Sequence, residues 1–293
     1  ESRTVSHLEL ASCSPVSLVM TLALWQTSGM IITSIHVFPV KSMQGNDRDV
    51  AEVSPRGLVG DRRWMVVDGS RRFVSGRTVP ELVRISVLEH DGGLTLRFEG
   101  EALRVHEPSA ETSKVVVWRD TVDARDAGDV VADWLSERIG KAVRLVFQSD
   151  SDRRLLPEEK RAQPGDEVSF ADGYPLLLIG TASLEALNAT LATPVSMSHF
   201  RPNIVVQTDV PYIEDTWSEV SLGQIKFSVS SQCTRCIFTT VDPATGALDP
   251  DKEPLKTLLR DRRRSSDGKP VFGVNLIPLG DGTVRVGDVV SSQ

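Results

Sequence analysis

Ser231-Gln-Cys233-Thr-Arg-Cys236-Ile-Phe-Thr-Thr-Val-Asp-Pro243 is the stretch on which the reading of this chain turns. Two thiols three residues apart suggest zinc first, but a structural zinc needs four Cys or His ligands, often from two such pairs. The sequence holds one further cysteine, no second Cys-x-x-Cys and no His-x-x-x-His. A thioredoxin-type redox pair would sit on a turn that opens a helix. Here the thiols run instead into β-branched Thr239-Thr240-Val241 and the turn signal Asp242-Pro243, so a strand followed by a loop is expected. Arg235, beside Cys236, favours its thiolate, the form that binds a soft or thiophilic metal. The alternative is a buried, inert cysteine with an Arg merely adjacent.

Outward from that stretch the chain is mostly β. Short alternating or apolar runs stand at residues 31–38, 64–68, 83–88, 94–98 and 114–118, with Gly- and Asp-rich turns such as Asp91-Gly92-Gly93 between them. Residues 129–139 read as a helix, with Val130, Val131, Trp134, Leu135 and Ile139 near helical spacing and Gly140 to stop it. Extended structure resumes at 144–147. The polar, Pro-containing stretch 148–166 is expected to connect two halves. In the second half, 174–179 reads as a buried strand, 181–188 as a capped helix, and 203–206, 225–229, 271–277 and 283–286 as further strands. The fold class expected is α/β and β-rich.

A chain of 293 residues, 40% apolar, can bury a substantial core in one or two domains. Its net charge of −7 argues against general binding to nucleic acid or anionic membranes, which needs a basic surface. Three cysteines offer no disulfide framework, which suits a reducing, cytoplasmic setting. The basic cluster Arg260-Asp261-Arg262-Arg263-Arg264 reads as a solvated loop or as a docking patch for an acidic redox partner. Residues 1–29 read as a leader or poorly ordered extension. The apolar run from Val16 to Trp25 is well short of the roughly 20 residues of a membrane helix, so no integral membrane segment is expected. His7, His36, His90, His106 and His199 show no ligand spacing.

Cys233-Thr-Arg-Cys236, then Thr239-Thr240-Val241-Asp242-Pro243-x-Thr245-Gly246 and Glu253-Pro254-Leu255, resembles the core of the MOSC family, specifically the amidoxime reducing components of mitochondria and their bacterial relatives. Pro39-Val40-Lys41-Ser42, Gly60-Asp61-Arg62-Arg63-Trp64, Phe200-Arg201-Pro202-Asn203-Ile204 and Val286-Gly287-Asp288 stand in the order that family shows. The resemblance implies an N-terminal MOSC-type β-barrel-like domain over residues 30–150 and a MOSC β-barrel domain over 151–293. It also implies a molybdenum cofactor of the molybdopterin type, a pterin dithiolene with a terminal phosphate, whose metal takes one protein thiolate.

Carried onto this sequence, that thiolate is Cys236, the expected catalytic and molybdenum-binding residue. Lys41, Ser42, Arg62, Arg201, Asn203 and Arg235 fall on the cofactor side: cations and a hydroxyl for phosphate and pterin oxygens, an amide for the pterin edge. Arg63 is not equivalent to Arg62. Asp172 matches a segment lining the cofactor, although Gly173 and Tyr174 depart from the small hydroxyl residues of the close eukaryotic members. Arg77 resembles a family Arg, and a structural ion pair is an equal reading. The activity implied is reduction of amidoximes, hydroxylamines or N-hydroxylated bases. No Cys-rich ferredoxin segment and no Gly-rich dinucleotide word is present, so the electrons would come from a separate electron-transfer protein or reductase. Alternatives are a sulfur carrier with a Cys236 persulfide and a cofactor storage or delivery protein.

Overall fold

The computed structural model describes residues 29–109, 111–157 and 162–293. The extension read at residues 1–29 lies, apart from Gly29, outside the described residues. Six strands of the second half and two of the first build an eight-stranded sheet in the spatial order Val290–Ser292, Glu219–Leu222, Ile225–Thr234, Val271–Pro278, Leu176–Gly180, Ile204–Val206, Ile32–Val37, Asn46–Arg48. Ile35, Leu178, Ile204, Phe227 and Leu276 are fully buried in its core. Each such side chain contributes about 1.5–3 kcal/mol through the apolar surface it removes from water.

Leu176–Gly180 and Ile204–Val206 pair in parallel, which requires a crossover, and the helix Thr181–Asn188 lies in that connection. The start of this helix has no local side-chain cap. Instead the buried Glu214 accepts from Gly180 N at 3.1 Å and from Ser183 Oγ at 2.8 Å, so a carboxylate distant in sequence satisfies the helix entry.

The two halves of the sequence share sheets. Ile32–Val37 runs antiparallel to Ile204–Val206, with Ile35 opposite Ile204. Gly282–Arg285, near the end of the chain, pairs with Val50–Ser54. Arg56, buried, donates to Glu167 at 2.8 Å and to the carbonyls of Ser149 and Asp150 at 3.0 and 2.9 Å, which pins the connecting stretch against the first half.

A second core lies between the strands Trp64–Asp68 and Val143–Phe147, the hairpin strands Ser86–His90 and Gly93–Phe98, and the helix Asp129–Ile139. That helix buries Val131, Ala132, Leu135 and Ile139 and ends at Gly140 in the left-handed conformation, φ 65°. Val130, expected on the apolar stripe, is 71% exposed, because the buried face starts one residue later.

Three local expectations need correction. Pro80 opens a 3-10 turn over Pro80–Arg84, so the strand expected at 83–88 begins only at Ser86. The segment after Cys236 is a 3-10 turn, Ile237–Thr240, rather than a strand, and Thr239 and Thr240 turn their hydroxyls back onto the carbonyls of Cys236 and Ile237 at 2.9 and 2.8 Å. The basic cluster is exposed at Arg260 and Arg263 as a solvated segment would be, but it is not all loop. Helix Leu255–Asp261 runs into it, and Arg260, Arg262 and Arg264 pair with Asp261, Asp215 and Asp267.

Candidate functional site

A cavity of about 690 Å³ opens where the turn after Ile32–Val37, the loop before Ile204–Val206 and the end of Ile225–Thr234 meet. Lys41, Ser42, Arg62, Asp172, Arg201, Asn203, Cys233, Arg235 and Cys236 all line it, as does Arg77. Residues from both halves of the sequence thus share one wall system. Phe238 and Lys269 also line it with no signal of it in the sequence, and so does Trp118, from the hairpin between Thr112–Val117 and Asp120–Asp126. Six cationic side chains, Lys41, Arg62, Arg77, Arg201, Arg235 and Lys269, face one carboxylate, Asp172.

Four lining residues hold a left-handed backbone without being glycine: Ser42 at φ 71°, Arg62 at 48°, Trp118 at 56° and Arg201 at 55°. Such conformations cost on the order of 1–3 kcal/mol each and persist where surrounding structure imposes them. Here hydrogen bonds do so. Ser42 Oγ accepts from Gly76 N at 3.0 Å, and Arg62 N donates to the Phe38 carbonyl at 2.7 Å.

On one side of the cavity Lys41 Nζ donates to the Phe170 carbonyl at 2.7 Å and bonds closely to Asp172. Burial presses the Lys41 ammonium below its ordinary pKa, and Asp172 opposes that shift. On Asp172 itself burial acts upward, but the charge and hydrogen bond of Lys41, then Arg77 and Trp118, outweigh it and hold the carboxyl well below the usual range. Arg77 reaches Asp172 at 3.3 Å while stacked over the Trp118 ring, 4.4 Å from its centroid. Arg77 is therefore both an ion-pair member and part of the cavity wall. Trp118 Nε1 donates to Asp172 at 3.2 Å.

On the other side lies a fully paired scaffold. Asn203 Nδ2 donates to the His36 carbonyl at 3.1 Å and to Asp61 Oδ1 at 3.0 Å, while its Oδ1 accepts from Arg62 Nη1 at 3.0 Å and Leu177 N at 3.3 Å. An Asn amide has two donors and two acceptor sites, so none remains to read a ligand's edge. In this arrangement the amide expected at the cofactor's edge is engaged in orienting Arg62. Arg62 is held by Asp61 at 2.5 Å, by Asn203, and by the Arg201 carbonyl at 3.2 Å. Asp61 is 1% exposed and is the hub missed in sequence, although it directly precedes Arg62. Arg63 points elsewhere, to the Gln148 carbonyl and Asp150.

Arg201 is the opposite case. Its guanidinium lies 4.2 Å from the Phe38 ring centroid and 5.6 Å from that of Phe238, and its buried Nη2 has no hydrogen-bond partner among the described residues. Burial, with Arg62 alongside, pushes its pKa down to about 9, against the pull of Asp61 and Asp172. A charge so placed lacks an anion.

The thiols divide likewise. Cys233, next to last in the strand Ile225–Thr234, packs against the cluster of Leu177, Phe200 and Phe272. Arg235 Nη1 donates to its sulfur at 3.3 Å and Nη2 to the Phe200 carbonyl at 2.9 Å, while Nε is buried without a partner. Burial pushes the Cys233 thiol up and Arg235 partly offsets it. The expectation that Arg235 acts on Cys236 is corrected: two residues apart at the end of an extended strand, Arg235 and Cys233 share a face, and the guanidinium meets that sulfur instead. Cys236 stands at the entry of the 3-10 turn with extended backbone, φ −138° and ψ 179°, and no donor among the described residues reaches its sulfur.

Residues 29–142 match the MOSC N-terminal beta barrel domain and residues 165–291 the MOSC domain. Over 277 residues the chain is 35% identical to the mitochondrial amidoxime-reducing component 1 of Mus musculus, across 88% of this chain and 81% of that protein. It is 33% identical over 276 residues to the component 1 of Homo sapiens, with 88% and 82% covered, and 34% identical over 276 residues to the component 2 of Bos taurus, with the same shares. Among solved structures, the YuaD protein of Bacillus subtilis aligns with a TM-score of 0.39 and 10% identity, over 89% of this chain and 94% of that one.

Proposed function

Since the chain belongs to the MOSC family and is homologous to the mitochondrial amidoxime-reducing components, we propose that it is a molybdenum-cofactor-dependent oxidoreductase that reduces N-hydroxylated compounds with electrons from a separate donor protein. The observation that carries this reading is the charge state of the cavity. Among the described residues, buried guanidinium atoms of Arg201 and Arg235 lack partners on the same wall that presents a thiol whose sulfur accepts no hydrogen bond. An anionic, sulfur-seeking group is what such a donor set fits.

In that role Cys236 gives its thiolate to molybdenum, and Arg201, Arg235 and Lys41 meet phosphate and pterin oxygens with charge-assisted hydrogen bonds. When bound, the cofactor supplies a metal that exchanges an oxygen atom and cycles two electrons. The chain's own part is to hold and orient. Asp61 and Asn203 fix Arg62, whose side chain then braces the Arg201 carbonyl. Phe38 and Phe238 flank the Arg201 guanidinium, and this apolar contact excludes water from one side of it. Asp172 favours the charged form of the buried Lys41 against the pull of burial.

The test is reduction of benzamidoxime to benzamidine by purified, molybdenum-loaded protein with a chemical reductant. Turnover that scales with molybdenum content supports the reading. Loaded protein that does not turn over is a storage or delivery protein, and protein that binds no molybdenum but carries a persulfide on Cys236 is a sulfur carrier.

A further inference from the structure

Behind the wall formed by His199 and Arg201 lies a second cavity, of about 400 Å³. Both residues line both cavities. The electrostatics reverse across that wall. Among the described residues the first cavity has six Lys and Arg side chains against one carboxylate, whereas the second has Arg201 as its one Lys or Arg, beside the carboxylates of Asp47 and Asp242. Its floor is apolar: Phe38 and Val83 are 6% and 4% exposed, and Pro202 is buried.

The two carboxylates keep free oxygens. Asp242 Oδ1 accepts from Thr245 N at 2.7 Å, Thr245 Oγ1 at 2.8 Å and Ala244 N at 3.0 Å, while no donor among the described residues reaches Oδ2. Those bonds, the Thr245 hydroxyl first, hold the Asp242 carboxyl below its ordinary value. Asp47 Oδ1 meets His36 Nδ1 at 2.7 Å, and its second oxygen is likewise open.

The chemistry of the proposed reaction gives this reversal a use. An amidoxime is uncharged near neutral pH, and the amidine it becomes is a strong base that carries a proton there. In the first cavity a cation meets one carboxylate, Asp172, already paired with Lys41 and Arg77, whereas in the second it meets two carboxylates with open oxygens that can hold it. We propose that the second cavity is the chamber for substrate and product, taking an apolar body on the floor of Phe38, Val83 and Pro202 and an N–H-rich, amidine-type head toward Asp47 and Asp242. His199 and Arg201 form the threshold between chamber and cofactor site. This inference rests on the reductase reading given above for its substrate class, while the binding it requires is measurable without turnover.

The experiment is calorimetric titration of the purified holoprotein with benzamidine and with its uncharged counterpart benzamide. Wild type is expected to prefer benzamidine by about tenfold or more, the size of one retained charge interaction. In the Asp47→Asn/Asp242→Asn double variant that preference disappears, and unchanged thermal unfolding shows that the amide substituted at position 242 still closes the turn. Ala244→Trp, at an exposed rim position, gives a second handle and is expected to weaken both probes by blocking the chamber. A wild type that does not bind benzamidine, or a preference that survives the double variant, overturns the inference. Reductase activity alongside that result leaves the functional reading intact. Carboxylate-dependent benzamidine binding in loaded protein that never reduces benzamidoxime supports the chamber and sinks the reductase reading instead.

Discussion

Arg235 donates to the sulfur of Cys233 at 3.3 Å, although Cys236 is its neighbour in sequence. The pair of thiols is thereby made unequal: one is engaged within the wall, the other faces the cavity with its sulfur unengaged. Cys236→Ser is expected to abolish reduction and most molybdenum retention while the fold persists, since oxygen replaces sulfur at nearly constant volume. Cys233→Ser acts only through Arg235 and its apolar neighbours, so its loss should stay within about 10–100-fold, the range of residues that support a ligand. Equal inactivity of the two variants at equal molybdenum and pterin content contradicts this division.

Arg201 is expected to be the strongest single cofactor contact outside the thiolate. A charge-assisted hydrogen bond is worth about 1.5–3 kcal/mol, so Arg201→Ala should weaken cofactor binding about ten- to a hundredfold. Arg263→Ala is the control, because that side chain is exposed and donates to the Leu259 carbonyl of the helix just before it. The check is the rate and extent of pterin release from the purified variants, and release equal to wild type from Arg201→Ala removes it from the site.

Gly76 lies so close to Phe238 that a Cβ there would stand 2.3 Å from Cε2 and 2.6 Å from Cζ. Gly76→Ala must therefore displace the ring that flanks Arg201, and it also disturbs the amide that Ser42 Oγ accepts from. A loss of about 1–3 kcal/mol in stability is expected from such overpacking, together with weaker pterin retention. Chemical denaturation measures the first and pterin release the second. An unchanged cofactor content would separate Phe238 from the site.

The Lys41–Asp172 pair makes stability depend on pH in a stated direction. Asp172 titrates in the fold below its unfolded value of 3.8, so its contribution is complete above that value and is lost as pH falls through the lower, folded one. Asp172→Asn lacks this contribution at every pH. The difference in melting temperature between wild type and variant should therefore hold from pH 3.8 up to the range in which Lys41 loses its proton and shrink below 3.8, and a difference that grows on acidification contradicts the pairing.

How far the sequence can be read follows from what fixes each element. Trp64–Asp68, Asp129–Ile139 and Thr181–Asn188 appear at the expected residues, because an apolar run or a helical stripe bounded by Gly determines them locally. Asn46–Arg48 and Gly57–Leu58 carry no pattern of their own and are strands only because Ile32–Val37 and Val50–Ser54 lie beside them. Helix Leu255–Asp261 is hidden by its Arg-rich end, where charge mimics a loop. At the site, residue types are legible from the family words, but pairing is not. That Asn203 is saturated, that Arg201 is not, and that Arg235 turns to Cys233 depend on side chains brought from separate elements. Trp118 leaves one trace, a lone aromatic at the hairpin between Thr112–Val117 and Asp120–Asp126.

The account stands most directly on the sulfur of Cys236. X-ray absorption at the molybdenum edge, on loaded wild type and on whatever loaded Cys236→Ser protein can be collected, counts the sulfur neighbours of the metal. Three in wild type and two in the variant are predicted, two from the pterin dithiolene and one from the chain. An unchanged count in Cys236→Ser would contradict the assignment of the thiolate.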